Sequence, residues 1–233
     1  MLSGLKSVFG LRRSAPVRAA PTRATDSAHG ALSKWAGTHG FDFAGRSEGI
    51  RYSLKGQVRG LPLRMEVGSS SRKYISGDEL RGRADLGADP QVAVMLITRP
   101  LRNTLERQIY ARYTDGLQTS VDASLPEEMR WLAAYQEFVW SSAPRQFWDR
   151  FSMVADRQEH ALAWMNAGLI QQLLDWPATA PAESIPLVLM LLRGKAYLRM
   201  QHEPGGTTGL QHAASFFTSA CEGALSAFKP LKS

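Results

Sequence analysis

Residues 50–67 read IRYSLKGQVRGLPLRMEV, and the class of fold follows from this stretch. Apolar side chains occupy every second position on both sides of Arg59-Gly60. A period of two sends alternate side chains to opposite faces of a strand, so that one face is buried while the other meets water. We therefore predict antiparallel strands here, with turns or bulges at the glycines.

The segments that follow extend this sheet. Residues 74–86 can add a further strand, and the unbroken apolar run at residues 92–97 is typical of a central strand. Near the C-terminus, residues 187–192, Arg193-Gly194 and the alternating residues 196–200 predict a β-hairpin. We expect at least four strands in the N-terminal part of the chain, before this hairpin.

Other segments repeat apolar side chains at intervals of three and four residues, which is typical of amphipathic helices. Ser124 with Glu127, and Asp156 with Glu159, have the spacing of capping boxes. We predict helices at about residues 31–36, 100–113, from 127 onward, 156–176 and 210–228. Together the patterns predict an α+β fold: a mainly antiparallel sheet covered by helices, a helical middle, and a C-terminal β-hairpin followed by an amphipathic helix.

The N-terminal segment differs from the rest in charge. Of the net charge of +7, five positive charges fall in residues 1–25, which contain no acid. We predict a basic, disordered tail there and a single α+β domain at residues 26–233; a transit peptide or a short amphipathic helix would also suit the tail's composition. The repeated Arg-Gly dipeptide leaves open two related halves, at about 26–122 and 123–233. Weak contact of the tail with anionic membrane or nucleic acid would use Lys6, Arg12, Arg13, Arg18 and Arg23.

Composition excludes several classes of protein. Cys221 is the only cysteine, so no intrachain disulfide forms, and a reducing compartment suits the chain. The longest apolar run, at residues 185–192, is far shorter than the ~20 residues of a membrane-spanning helix. We expect a cytoplasmic protein without a transmembrane segment.

Few residues show the spacing that chemistry requires. None of the five histidines is spaced as a metal ligand pair, and we predict no metal site, no cofactor and no catalytic residue. The leading anion-binding candidate is Ser69, Ser70, Ser71 and Arg72, because consecutive amides, hydroxyls and a guanidinium can hold an anion. The alternative for this loop is a solvated turn.

Paired carboxylates have structural explanations. Glu127 and Glu128 fall in the first turn of a predicted helix, where acids complement the helix dipole. Asp78 and Glu79 sit among basic residues of a predicted strand, which suggests cross-strand ion pairs. Neither pair requires a catalytic role.

The central part of the chain combines tryptophans with arginines. Such side chains can stack on a peptide or on bases, although tryptophans more often anchor helix packing. The partner-binding candidates are Arg130, Trp131, Trp140, Arg145, Trp148 and Arg150.

Several short motifs lie between residues 32 and 135. They include Gly68, Ser71-Arg72, Tyr74-Ile75 and, most distinctively, residues 126–132, which read PEEMRWL. Others are Glu79-Leu80-Arg81, Arg99-Pro100-Leu101 and Leu105-Glu106. In these motifs the segment resembles a family of uncharacterised proteobacterial proteins. The resemblance implies a bacterial, cytoplasmic protein and assigns no activity or site residue.

Three functions remain open. The first is a non-catalytic binding or scaffold protein, because no catalytic constellation is present. The second is an enzyme acting on a small anionic substrate through Ser69 to Arg72, with Glu66, Arg64 or Glu79 nearby. The third is peripheral association with anionic membrane or nucleic acid through the basic tail.

Overall fold

The structure is a computed structural model that describes residues 23–115, 125–176, 185–203 and 207–229. These residues contain nine strands and seven helices, which confirms the predicted α+β fold. The strands are β1 (Asp42–Ala44), β2 (Ile50–Val58), β3 (Leu61–Ser69), β4 (Asp78–Asp85), β5 (Ala93–Thr98), β6 (Gln136–Phe138), β7 (Phe151–Ala155), β8 (Leu187–Leu192) and β9 (Lys195–His202). The helices are α1 (Arg23–Thr38), α2 (Arg99–Asp115), α3 (Glu127–Ala134), α4 (Arg145–Arg150), α5 (Gln158–Trp164), α6 (Ala167–Leu174) and α7 (Thr207–Ala227).

All nine strands belong to one sheet, in the order β1-β2-β3-β4-β9-β8-β5-β7-β6, and every neighbouring pair is antiparallel. The C-terminal hairpin β8-β9 is inserted between β4 and β5. Strands from both parts of the sequence therefore alternate within the sheet, and β4 pairs along its whole length with β9.

Two hairpins use the same turn. Arg59 and Gly60 link β2 to β3, and Arg193 and Gly194 link β8 to β9; all four residues have positive φ, from 48° to 80°. Positive φ at both central residues of a two-residue loop is the type I′ turn, whose twist matches that of the strands. Shared turn geometry thus explains the repeated Arg-Gly dipeptide.

Helices pack on both faces of the sheet at β5. Val94 and Leu96 of β5 belong to a large core on one face, with residues of α1, α4, α5, α6 and α7. Met95 and Ile97 belong to a smaller core on the other face, with residues of α2 and α3. Burial on both faces explains why β5 is an unbroken apolar run, as the sequence predicted.

The helical middle contains the four helices α3 to α6 and two strands, β6 and β7. The sequence patterns did not predict these two strands. The predicted helix at residues 156–176 is divided, because Asn166 accepts a hydrogen bond from the amide of Leu169 at 3.0 Å and caps α6. The predicted capping box at Asp156 is wrong. No side chain caps the start of α5, and the Asp156 carboxylate instead accepts a hydrogen bond from the amide of Ala93 at 3.2 Å. Ser124 lies outside the described residues.

The start of the chain is described from α1 onward. The helix begins at Arg23, so the predicted tail loses its last three residues to α1. Lys6, Arg12, Arg13 and Arg18 lie outside the described residues. In the part of the chain that the structure describes, no helix is long and apolar enough to cross a membrane.

Candidate functional site

Half of one sheet face is left open by the described helices. On this face α2 and α3 pack over β5, β7 and β8, whereas β2, β3, β4 and β9 line a cavity of about 660 Å³. The charged residues that line this cavity are five cations and two carboxylates: Lys55, Arg64, Arg81, Arg83, Arg199, Glu66 and Asp85.

The period of two in β4 explains how charged side chains reach the cavity. Arg81 and Arg83 alternate with Leu80, Gly82 and Ala84, which are buried on the opposite face. A Cβ on Gly82 would lie 2.8 Å from the ring of Phe217, so glycine lets α7 approach the back of the sheet. The strand that carries Arg81 and Arg83 therefore packs directly on the large core.

Three cations stand side by side across the strands. Lys55 of β2 is the Cα partner of Arg64 in β3, and Arg64 is the partner of Arg83 in β4. We call Lys55, Arg64 and Arg83 the cationic row; Tyr197 of β9 follows as the partner of Arg83. Neighbouring strands lie about 4.8 Å apart, so the row spans about 10 Å. All three cations are exposed.

One of the three cations in the cationic row forms an ion pair with a carboxylate. Arg64 pairs with Glu66, two positions along the same strand. Among the described residues, no carboxylate forms an ion pair with Lys55 or Arg83. Asp85 is held by Lys195 at 2.8 Å; this hydrogen bond, and to a smaller extent Arg83, keep the pKa of Asp85 below its usual range. Like charges directly opposite each other destabilise a sheet, so the row has a cost in stability.

In the next row of residues on this face, carboxylates pair with the arginines. Glu66, Arg81 and Arg199 are successive Cα partners on β3, β4 and β9. Arg81 lies 3.9 Å from Glu66, and Arg199 pairs with the buried carboxylate of Glu79. Excess positive charge is thus concentrated in the cationic row.

Glu79 is fully buried and organises the loop after β3. Its Oε2 accepts from the amide of Ser71 at 3.0 Å and from the Ser71 hydroxyl at 3.3 Å, and its Oε1 accepts from Arg199. The Ser71 hydroxyl also accepts from Arg199 at 3.2 Å. The expectation of cross-strand ion pairs at Glu79 is confirmed, as is that at Asp78, which pairs with Arg51 at 2.6 Å.

Glu128 of α3 is the second buried carboxylate. Its Oε1 accepts from Arg72 Nε at 3.1 Å and from the Tyr74 hydroxyl at 2.9 Å, with Arg199 Nε at 3.6 Å, while its Oε2 has no hydrogen-bond partner. Burial and then Glu128 raise the pKa of Tyr74, which remains a donor. Burial lowers the pKa of Arg72, but Glu128 outweighs this effect and the net shift is upward.

The predicted anion-binding loop therefore contacts anions of this chain. Ser71 faces Glu79 and Arg72 faces Glu128, while the amide of Arg72 donates to the Ser70 hydroxyl within the loop at 2.9 Å. Ser69 is exposed at the end of β3. An external anion at this loop stays a prediction.

Of the two partner-binding candidates on α3, Trp131 requires a correction. Trp131 is 3% exposed in the smaller core, and its indole N–H donates to Glu127 at 3.2 Å, so it belongs to helix packing and not to the surface. Arg130 pairs with Glu127 in the preceding turn.

The candidates around α4 make contacts within the chain. Trp140 and Trp148 are half-buried with ring centroids 4.8 Å apart, and the Trp148 indole N–H donates to the Trp140 carbonyl at 3.3 Å. Arg150 donates to the Leu174 carbonyl at 3.2 Å. Arg145 is 94% exposed and lies 3.9 Å from Asp149. Partner binding at these residues remains a prediction.

No metal or reactive thiol emerges from the described residues. Within them, no group of three or more His, Cys, Asp or Glu side chains is arranged to hold a metal ion. Cys221 is buried in α7, and burial raises the pKa of its thiol well above its usual range.

Lys55, Arg83 and Tyr197 were not among the predicted site residues, and the sequence patterns did not predict that the cationic row comes together. A signal for part of it was present: a two-residue turn at Arg59-Gly60 pairs Val58 with Leu61, and counting back three positions pairs Lys55 with Arg64. The pairing of β4 with β3 and β9 has no comparable local signal.

No protein-family model matches the sequence, and no curated protein matches it. This chain is similar to a solved structure, the crystal structure of the mycobacterial trehalose monomycolate transport factor A, TtfA, with 11% sequence identity and a TM-score of 0.47. The similarity covers 89% of this chain and 99% of that chain. A likeness this distant carries no argument about function.

Proposed function

We propose that this protein is a non-catalytic binding protein, and that the cationic row is the centre of its binding surface for an anionic ligand. The observation that carries the proposal is the direct juxtaposition of Lys55, Arg64 and Arg83 on three neighbouring strands. A sheet gains no stability from three like charges in one row. Such an arrangement is favourable when a ligand supplies the missing negative charge.

The lining of the cavity supports binding over catalysis. It contains no serine, cysteine or histidine, and its Glu66 is engaged by Arg64 and Arg81. A serine or cysteine nucleophile with a histidine base, the commonest pair in covalent catalysis, is therefore not among the lining residues. We also propose a cytoplasmic location, with the single, buried Cys221 as the supporting feature.

Retention of the full chain on a phosphocellulose resin tests whether this face binds anions. In one variant, Lys55→Gln, Arg64→Gln and Arg83→Gln are combined. The control combines Lys34→Gln, Arg145→Gln and Arg157→Gln, which remove the same charge from exposed positions outside the cavity. The proposal requires the first variant to elute at lower salt than the wild type and the control to elute close to it, because clustered charges bind a polyanion more strongly than dispersed ones.

Equal shifts in the two variants would show that retention reflects net charge, including that of the N-terminal segment, and would overturn the proposal. Circular dichroism spectra must match that of the wild type for either result to count. Because all six positions are exposed, we expect both variants to fold.

A further inference from the structure

The line along which the cations are arranged limits the shape of the ligand. Along β4 the residues facing the cavity side are Glu79, Arg81, Arg83 and Asp85, so the charge changes sign twice. Along β3, Arg64 is followed on the same face by Glu66. An extended polyanion lying parallel to the strands would meet these carboxylates. Only the direction across the strands presents cations alone.

The three cations also lie close together. Three cations within about 10 Å match a ligand whose negative charge is gathered in one or two groups. A phosphate ester carries up to two charges on three acceptor oxygens, and guanidinium groups bind it through paired N–H donors. A carboxylate carries one charge on two acceptor oxygens, so it balances less of the positive charge of the row. The cavity of about 660 Å³ lies within the range of about 300–1,000 Å³ typical of small-molecule sites.

Aromatic content argues against single-stranded nucleic acid. Sheets that bind single strands stack successive bases on several aromatic side chains. The cavity lining contains one aromatic residue, Tyr197, at the end of the cationic row. One ring suits a single small group beside the phosphate.

From these observations we infer that the cationic row binds the phosphate groups of a small, soluble phosphate ester or bisphosphate, with Arg83 as the principal ligand, Arg64 and Lys55 beside it on one side and Tyr197 on the other. This inference rests on the proposed function and adds the chemical class of the ligand. It requires no covalent step.

Dissociation constants measured by isothermal titration calorimetry on the full chain at low ionic strength test the inference. The probes are pyrophosphate and fructose 1,6-bisphosphate, compared with citrate and a hexaglutamate peptide. We expect the phosphate probes to bind more tightly than citrate or hexaglutamate. We expect Arg83→Gln to weaken their binding by about tenfold or more, since charge-assisted hydrogen bonds are among the strongest.

Two substitutions serve as matched controls. Arg81→Gln removes a cation of the same cavity that already contacts Glu66, so its effect must be smaller than that of Arg83→Gln. Arg145→Gln removes an exposed cation of α4 and must leave the dissociation constants unchanged. Equal effects of Arg81→Gln and Arg83→Gln would contradict the assignment of the cationic row.

The failure of this inference is distinguishable from that of the proposed function. Tighter binding of hexaglutamate or citrate, still dependent on Arg83, would overturn the phosphate class and leave an anion-binding protein. Binding to phosphatidic acid vesicles without binding to the soluble probes would overturn a soluble ligand. Absence of binding to every probe, together with unchanged resin retention of the cationic-row variant, would overturn both.

Discussion

The hydroxyl of Tyr52 lies 2.7 Å from Nε2 of His202, although β2 and β9 are separated in the sheet by β3 and β4. His202 is 8% exposed, and burial lowers the pKa of its imidazole below the ordinary value; Asp78 opposes this shift and Arg51 adds to it. Burial and then Asp78 raise the pKa of Tyr52, with Arg51 opposing them. The pair is therefore neutral at physiological pH.

Stability should consequently fall as the solution is acidified. Because the folded pKa of His202 is lowered, the unfolded chain takes up the proton first as pH drops below about 6.5. The contribution of neutral His202 to the unfolding free energy is complete above that pH and is lost as the pH falls to the pKa of His202 in the folded protein. We expect the unfolding free energy, measured by urea titration, to decrease between about pH 8 and about pH 5.

His202→Gln isolates this contribution from the other titrating groups. The variant removes the imidazole, so its unfolding free energy should decrease less between the two pH values than that of the wild type. An equal decrease in both proteins would show that His202 does not contribute.

Glu128 should be a strong determinant of stability. Its carboxylate is 1% exposed and faces Arg72, Arg199 and Tyr74. Removing one partner of a buried ionic cluster leaves uncompensated charge, at a cost of about 3–5 kcal/mol. We therefore expect Glu128→Ala to lower the unfolding free energy by about that amount in urea titrations.

The adjacent residue provides the control for Glu128. Glu127 has a side chain 28% exposed and pairs with Arg130 one turn away. Partly exposed pairs contribute about 0–1 kcal/mol, so Glu127→Ala should cost far less than Glu128→Ala. Similar costs would indicate that the Glu128 cluster is screened by solvent.

Local patterns were sufficient for much of the fold. The period of two in residues 50–67 predicted β2 and β3, and the apolar run of β5 predicted its central position. Both features depend on side chains close in sequence. The helix at the C-terminus also followed from spacing alone, because α7 buries a continuous apolar stripe.

Other features depend on distant pairing. All five residues of β7 are buried, so the strand lacks alternation, and Ser152 interrupts the kind of apolar run by which β5 was predicted. Asp156 has the spacing of a helix cap, yet its carboxylate accepts from the amide of Ala93, which is 63 residues away. The cationic row likewise exists only once β3 has paired with β4. The periodicity of the sequence does not indicate which distant strands pair or in which register they pair.

The two type I′ turns should respond differently to the same substitution. Gly60 has φ of 80°, and a Cβ there would meet no heavy atom within 4 Å. Gly194 has φ of 73°, and a Cβ there would lie 2.6 Å from the carbonyl oxygen of Ala88. Gly60→Ala should therefore cost about 1–2 kcal/mol from backbone strain alone, while Gly194→Ala should cost more because backbone must move. Thermal and urea unfolding of the two variants check this order, and a smaller cost at Gly194 would contradict it.

Replacing one cation of the row should stabilise the folded protein while it weakens binding. Arg83 stands directly opposite Arg64 and forms no ion pair among the described residues. Relief of this repulsion in Arg83→Gln should raise the unfolding free energy by about 0.2–1 kcal/mol at low salt. The gain should shrink at about 1 M salt, where screening acts within about 3 Å. Arg81→Gln, two residues away, loses its contact with Glu66 and should give no such gain. A fall in stability for Arg83→Gln at low salt would mean that the cations do not repel each other, and the row would then have no unmet charge for a ligand to neutralise.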